Sequence, residues 1–124
     1  MTDKILIADD EPNILLSLDY LMRREGFQVL LARDGDEALA LLRQERPRLV
    51  LLDVMMPGKS GHEVCAALRA DESLKHTLVL MLSAKGRDTD VAKGLGLGAD
   101  AYITKPFSTQ ALVAQVRAML AAAP

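Results

Sequence analysis

Five short apolar runs, separated by stretches with helical spacing, constrain the fold of this 124-residue chain more than any other feature. Each run holds four to six mostly apolar residues and stops at a polar residue or a turn. The runs cover residues 5–8, 27–32, 49–52, 78–82 and 101–104. Continuous apolar runs of this length are typical of strands that are buried on both faces. The alternation therefore predicts an α/β fold, a doubly wound, five-stranded parallel sheet with helices on both faces.

Local signals indicate where the predicted helices begin and end. Pro12 lies at a first-turn position that tolerates proline, and Gly26 closes the same helix. Asp34, with Glu37 three residues later, has the pattern of a capping box. Ser108 is suited to cap the last helix. These caps support the division of the chain into alternating strands and helices.

A helix over residues 87–97 is the weakest of the predicted elements. Gly94 and Gly96 lie within it, and each costs about 1 kcal/mol relative to alanine in a helix interior. No repeat, linker or low-complexity segment interrupts the chain, so we expect one domain over residues 1–124. Residues 121–124 are either its frayed end or the start of a linker.

Charge and composition exclude several classes of protein. The net charge of −2 is spread over mixed signs without a basic stripe, so we expect no direct binding to nucleic acid. No apolar run approaches the roughly 20 residues that span a bilayer, and residues 1–4 do not resemble an export signal. The single cysteine, Cys65, cannot form an internal disulfide and is expected to be a small core residue. We therefore expect a cytoplasmic protein without membrane contact.

Polar residues end four of the five predicted strands. Asp9 and Asp10 end the first, Asp53 the third, Ser83 the fourth and Lys105 the fifth. Open α/β sheets bind ligands at the carboxyl ends of their strands. If the first and third strands are neighbours, three carboxylates converge and either share protons or hold a cation such as Mg²⁺. With a lysine and a hydroxyl opposite, the set predicts a site for a phosphoryl group carried on, or delivered to, an aspartate.

These motifs resemble the receiver domains of two-component response regulators over nearly the whole chain. The matching segments are residues 8–12, 52–58, 82–84 and 102–107, in the same order and at predicted strand ends. The resemblance implies a flavodoxin-like fold with strand order 2-1-3-4-5. It also implies a signalling switch that is no enzyme in the usual sense, because such a domain catalyses only its own phosphorylation and dephosphorylation.

The resemblance implies a role for each residue of the site. Asp53 would accept the phosphoryl group from a sensor histidine kinase, a phosphotransfer protein or a small phosphodonor. Mg²⁺ would be the cofactor, bound directly by Asp10 with help from Asp9. Asp53 and the backbone carbonyl of Met55 would complete the metal ligands. Lys105 would pair with a phosphoryl oxygen.

Two further residues are implied to respond to phosphorylation. Ser83 would hydrogen-bond the phosphoryl group and move towards it, and Tyr102 would swing inward into the vacated space. The alternative for Tyr102 is an ordinary edge residue with a half-buried ring. The bond between Lys105 and Pro106 matches a cis peptide of the family. His62 stands where an apolar residue is commoner, and we expect it to be a partly exposed surface residue.

The expected output face comprises the helix over 87–97, the fifth strand and the last helix, and would bind a downstream protein or an effector domain. Regulators that dimerise through this face usually carry an Asp and an Arg where this chain has Ala101 and Gln115. The charge network of such dimers is therefore incomplete in this chain. The sequence does not decide between a monomer and a dimer that phosphorylation promotes. Met55 and Lys85 flank the path of water to the acyl phosphate and are expected to influence its lifetime.

Three alternative functions stay open. One is a pseudo-receiver, a binding module that works without phosphorylation, although the complete set of acids, hydroxyl and lysine argues against it. The second is a receiver fragment of a larger regulator or of a hybrid kinase. The third is a flavodoxin-like binder of a nucleotide or flavin. The acids after the first strand disfavour that binder, because they would repel a phosphate.

Overall fold

A sheet of five parallel strands forms the centre of the computed structural model, which describes residues 3–84 and 98–123. The strands are β1 (Lys4–Ala8), β2 (Gln28–Ala32), β3 (Leu49–Asp53), β4 (Leu78–Ala84) and β5 (Ala101–Lys105). They are hydrogen-bonded in the order β2-β1-β3-β4-β5. The predicted parallel sheet and the implied strand order are both confirmed.

The described helices lie on the two faces of this sheet. They are α1 (Pro12–Arg24), α2 (Gly35–Glu45), α3 (Gly61–Ala70) and α4 (Thr109–Ala122), with a short 3-10 helix at Glu72–Leu74. The helix predicted over 87–97 and the residue Lys85 lie outside the described residues. Within the described ranges, no helix is both long enough and apolar enough to cross a membrane.

Alternate residues of the buried strands belong to two separate cores. In β1, Leu6 and Ala8 pack in the core that includes α2 and α3, whereas Ile5 and Ile7 pack in the core that includes α1 and α4. All five residues of β3 are buried. Because both faces of these strands need apolar side chains, their runs in the sequence are continuous.

Helix caps lie where the sequence predicts them. The Asp34 carboxylate accepts a hydrogen bond from the Glu37 N–H at 2.8 Å, and Ser108 Oγ accepts one from the Ala111 N–H at 3.0 Å. Gly26 follows α1 with a φ of +93°, a left-handed conformation that glycine adopts without strain. The caps therefore fix both the starts of these helices and the exit from α1.

The strands extend further into the polar segments than the apolar runs indicate. Asp53 is the last residue of β3 and pairs with Leu82, and Lys105 is the last residue of β5 and pairs with Ala84. Ser83 lies inside β4. The apolar runs stop at polar side chains, but strands are paired by their backbone groups, so Asp53 and Lys105 end their strands as predicted. The polar residues are consequently held by the sheet itself.

Helix α3 begins directly against the end of β3. The Ser60 hydroxyl accepts a hydrogen bond from the Glu63 N–H, and the Glu63 carboxylate accepts one from the Ser60 N–H, which forms a capping box. The Gly61 N–H donates to the Val54 carbonyl at 2.9 Å. A Cβ atom on Gly61 would overlap the Asp53 carbonyl oxygen, so only glycine allows this close approach.

We expect Gly61→Ala to lower the free energy of unfolding more than Gly26→Ala does. At position 26 the added methyl group meets no neighbour, and the cost is that of the left-handed backbone, about 1–2 kcal/mol. At position 61 the methyl group must displace backbone of β3, an overpacking cost at or above the upper end of about 1–3 kcal/mol. Urea denaturation of both variants tests this order. An equal or smaller loss for Gly61→Ala would contradict a tight contact between α3 and β3.

Candidate functional site

Three carboxylates gather at the carboxyl ends of β1 and β3. Asp9, Asp10 and Asp53 each offer an oxygen within 4.8 Å of the others. Asp9 is fully buried and Asp53 is 6% exposed, whereas Asp10 is open to solvent. The Asp9 carboxylate also accepts a hydrogen bond from the Glu11 N–H at 2.9 Å. The structure thus brings together acids that the sequence places at two separate strand ends.

One ammonium group lies against the two buried carboxylates. Lys105 Nζ is 3.1 Å from Asp9 Oδ2 and 3.3 Å from Asp53 Oδ1. Burial by itself lowers the pKa of Lys105, but the charges of Asp53 and Asp9 outweigh burial and raise that pKa above its usual value. The lysine is therefore a cation at neutral pH and offsets part of the negative charge of the site.

The carboxyl group of Asp53 binds its proton more tightly than an ordinary aspartate does. Burial and then the charge of Asp9 raise its pKa from 3.8 to about 6, against the opposing effects of Lys105 and of the Met55 N–H. One ammonium group therefore does not fully offset the cost of burying Asp53 beside Asp9. A divalent cation would do so, and carboxylate oxygens that are partly open to water are the ligands that Mg²⁺ prefers. The donor set fits that ion.

The two predicted switch residues lie on β4 and β5. Ser83 is fully buried and follows Leu82, the register partner of Asp53. Tyr102 is half-buried and packs against the core that includes α2 and α3. Its Oη atom lies 3.0 Å from His62 Nε2. Sequence reasoning did not predict this hydrogen bond between β5 and α3.

The prediction that His62 is a partly exposed surface residue is wrong. Its side chain is only 6% exposed, in the first turn of α3. The sequence did contain a signal, because His62 precedes the buried Cys65 by three residues and so shares its helix face. A polar ring can be buried there because the Tyr102 hydroxyl provides a hydrogen-bond partner.

Comparison with known proteins identifies the family of this chain. The family model for the response regulator receiver domain matches residues 5–117. The chain belongs to the response regulator receiver domain family. The resemblance found in the sequence is thereby confirmed. Receiver domains are signalling modules with the general function of accepting a phosphoryl group, and they interact with histidine kinases and downstream effectors.

Solved structures of receiver domains have the same fold. A putative response regulator from Chloroflexus aurantiacus is 33% identical with a TM-score of 0.93, and the match covers 98% of this chain and 99% of that one. Chemotaxis response regulator CheY4 of Vibrio cholerae is 30% identical with a TM-score of 0.90, covering 95% and 98%. The receiver domain of a signal transduction histidine kinase from Syntrophus aciditrophicus is 32% identical with a TM-score of 0.90, covering 97% and 91%.

The structure around β5 bears on two further features of the sequence analysis, the cis peptide bond and the incomplete charge network for dimerisation. The cis peptide bond between Lys105 and Pro106 is present. Asp100 precedes Ala101, one position of the incomplete dimer network, and accepts a hydrogen bond from Arg69 Nη2 at 2.6 Å. Arg117 follows the other position, Gln115, by two residues and donates a hydrogen bond to Glu25 Oε1 at 2.9 Å. These two charged residues are therefore engaged in ion pairs within the chain.

In the absence of metal, we expect Asp53 to destabilise this receiver domain progressively as the pH rises from about 4 to about 6. Its pKa is raised from 3.8 to about 6 in the folded protein, so in this interval the folded state binds more protons than the unfolded chain. The contribution of Asp53 to the free energy of unfolding is therefore most favourable at low pH and is lost as the carboxyl group ionises. Asp53→Asn removes this dependence, which amounts to on the order of 1–3 kcal/mol.

Urea denaturation in EDTA at a series of pH values measures this effect. The quantity to follow is the free energy of unfolding of Asp53→Asn minus that of the native protein. It should grow between about pH 4 and pH 6 and stay level at higher pH. A difference that is constant or shrinks across this interval would contradict the raised pKa of Asp53.

Proposed function

We propose that this receiver domain accepts a phosphoryl group on Asp53 in a Mg²⁺-dependent reaction and changes its output face in response. The observation that carries the proposal is the 3.3 Å contact between Asp53 Oδ1 and Lys105 Nζ within a cluster of three carboxylates. A carboxylate nucleophile beside a fixed cation suits the transfer of an anionic phosphoryl group. The donor would be a phosphohistidine on a sensor histidine kinase or phosphotransfer protein, or a small phosphodonor.

The transfer exchanges one bond to phosphorus for another. A carboxylate oxygen of Asp53 attacks the phosphorus, an O–P bond forms, and the N–P bond of the phosphohistidine breaks. The leaving imidazole keeps the electron pair and takes up a proton from water. Lys105 lies where it can pair with a phosphoryl oxygen during this step. The chain therefore contributes a nucleophile and a fixed positive charge.

The carboxylates of Asp9, Asp10 and Asp53 would hold Mg²⁺, together with the backbone carbonyl of Met55. When bound, the ion supplies positive charge to the phosphoryl oxygens. The exposed position of Asp10 leaves one side of the carboxylate cluster accessible to water. This access suits Mg²⁺, which keeps several waters in its coordination shell.

Ser83 and Tyr102 would transmit the modification to a partner. The phosphoryl group adds negative charge and acceptor oxygens beside β4, and the Ser83 hydroxyl would hydrogen-bond one of those oxygens. The inward orientation of Tyr102 would then be favoured, which would alter the face offered to a downstream protein or an effector domain. Residues 1–124 would act as one receiver unit, by itself or within a larger regulator or hybrid kinase.

The loop after β1 argues against the binding of a nucleotide or flavin phosphate. Asp9, Asp10 and Glu11 would repel a phosphate. The Asp9 carboxylate also accepts the Glu11 N–H, a backbone donor of the kind that a phosphate-binding loop offers to its ligand. The same acids support binding of a cation.

Acetyl phosphate with Mg²⁺ should add one phosphoryl group to the native protein, detected by intact mass, and none to Asp53→Asn. Asp10→Asn should need more Mg²⁺ for the same yield, because it removes one carboxylate from the cluster. Asp36→Asn is the matched control, since it neutralises an exposed acid in α2 and should leave the yield unchanged.

The outcomes of this experiment separate the alternatives. An adduct on the native protein alone, abolished by EDTA, supports the proposal. No adduct on any variant favours a pseudo-receiver that works without phosphorylation. An adduct of equal yield on Asp53→Asn would assign the acceptor to another residue and overturn the role of Asp53.

We expect Met55→Asn to lose the phosphoryl group faster than the native protein. The Met55 side chain is 57% exposed two residues after Asp53, where its apolar atoms hinder the approach of water. A polar side chain removes this hindrance and can hydrogen-bond an attacking water, which should raise the rate about 2- to 10-fold. The decay of the adduct after removal of donor measures this rate. Leu16→Asn, a change of an exposed apolar residue on α1, is the control, and equal or slower decay for Met55→Asn would refute the prediction.

A further inference from the structure

The hydrogen bond between His62 and Tyr102 joins two elements that are distant in sequence. His62 lies in the first turn of α3, and Tyr102 lies on β5, at the edge of the sheet. Nε2 of His62 and Oη of Tyr102 are 3.0 Å apart. The histidine is 6% exposed and the tyrosine is half-buried, so this contact is partly shielded from water. A shielded hydrogen bond restrains its partners more than a solvent-exposed one, because water competes with it less.

The position of the Tyr102 hydroxyl indicates where the ring lies. Tyr102 could point away from the sheet, since β5 has a strand neighbour on one side only. Instead the ring packs against the core that includes α2 and α3, and the hydroxyl reaches the first turn of α3. The ring therefore lies inward, over the sheet.

His62 is itself fixed by the contact of α3 with β3. The preceding residue, Gly61, donates its N–H to the Val54 carbonyl at 2.9 Å and lies directly against the Asp53 backbone. The capping box of Ser60 and Glu63 stabilises the same turn. His62 therefore offers Tyr102 a hydrogen-bond partner whose position is determined by the strand that ends at Asp53.

We propose that His62 is a positioning residue that stabilises the inward orientation of the Tyr102 ring over the sheet. Its importance for signalling rests on the proposed function, in which the ring turns inward after phosphorylation, because the hydrogen bond would favour that orientation. If the ring turns outward, the hydrogen bond between two partly or fully buried groups is broken. One net side-chain hydrogen bond of this kind changes the ratio of inward to outward rings about fivefold.

Tyrosine fluorescence allows a direct measurement. The chain has two tyrosines and no tryptophan, so Tyr20→Phe leaves Tyr102 as the only tyrosine fluorophore. In this background, quenching by acrylamide reports the exposure of the Tyr102 ring. We expect His62→Leu, which replaces the hydrogen-bonding ring with an apolar side chain, to raise the quenching constant about twofold or more. When most native rings lie inward, an about fivefold change in the ring ratio multiplies the small share of outward, accessible rings several-fold.

Two further variants separate positioning from general destabilisation. His62→Gln keeps a terminal amide that can hydrogen-bond the Tyr102 hydroxyl, and its quenching should be closer to native than that of His62→Leu. His76→Leu makes the same exchange at an exposed histidine and should not change the quenching. Equal quenching in the native protein and in a folded His62→Leu would overturn the proposal, as would equal quenching in His62→Leu and His62→Gln.

A second measurement does not depend on the stability of His62→Leu. Tyr102→Phe deletes only the hydroxyl group and leaves the aromatic ring. We expect this variant to shift the NMR signals of the His62 ring nitrogens in the folded, unphosphorylated protein, while those of His76 stay unchanged. Unchanged His62 signals would show that the hydrogen bond is not formed in solution and would overturn the proposal.

These measurements test the positioning role of His62 separately from the proposed function. Quenching and ring-nitrogen signals are recorded without phosphodonor, whereas phosphoryl acceptance is measured by intact mass. Native protein that takes up no phosphoryl group but shows the His62 effects would refute the proposed function and support the positioning role. Normal uptake on Asp53 with no effect of His62→Leu or Tyr102→Phe would refute the positioning role alone.

Discussion

The site depends on a balance between one lysine ammonium group and two buried carboxylates. Asp9 and Asp53 lie at the ends of neighbouring strands, where two like charges are kept close together and away from water. Lys105 contacts both carboxylates but does not fully offset them, because the pKa of Asp53 stays raised to about 6. Three carboxylates beside one ammonium group leave an excess of negative charge, so this end of the sheet could hold a metal cation.

A rigid sheet maintains this unfavourable arrangement of charges. Lys105 is anchored in β5 and reaches past β4 to acids on β3 and after β1, so three strand pairings determine how far apart the groups lie. Apolar cores on both faces resist displacement of the strands. The carboxylates consequently cannot move apart to relieve their repulsion. Packing far from the site thus preserves the charge distribution that the proposed phosphoryl transfer requires.

Local patterns predicted most of the elements and failed where backbone pairing or tertiary packing decides. The cap at Asp34 follows from hydrogen bonds between near neighbours, and this prediction is confirmed. Asp53 and Lys105 do end β3 and β5 as predicted, whereas the end of β4 was placed one residue too early, at Ser83, because a polar side chain does not prevent backbone pairing. His62 was expected to be a partly exposed surface residue, although an apolar residue is commoner at this position in the family. Its burial depends on the hydroxyl of Tyr102, 40 residues away in sequence.

The sequence by itself determined the alternation of strands and helices and the polar residues at the strand ends, because apolar periodicity and caps act over a few residues. The strand order came from resemblance to a family, and the structure confirms it. Only the tertiary structure decided that Lys105 contacts Asp9, 96 residues away, and that His62 is the partner of Tyr102. The physical reason is that such contacts depend on how strands pair and how helices pack on them, which no local pattern specifies.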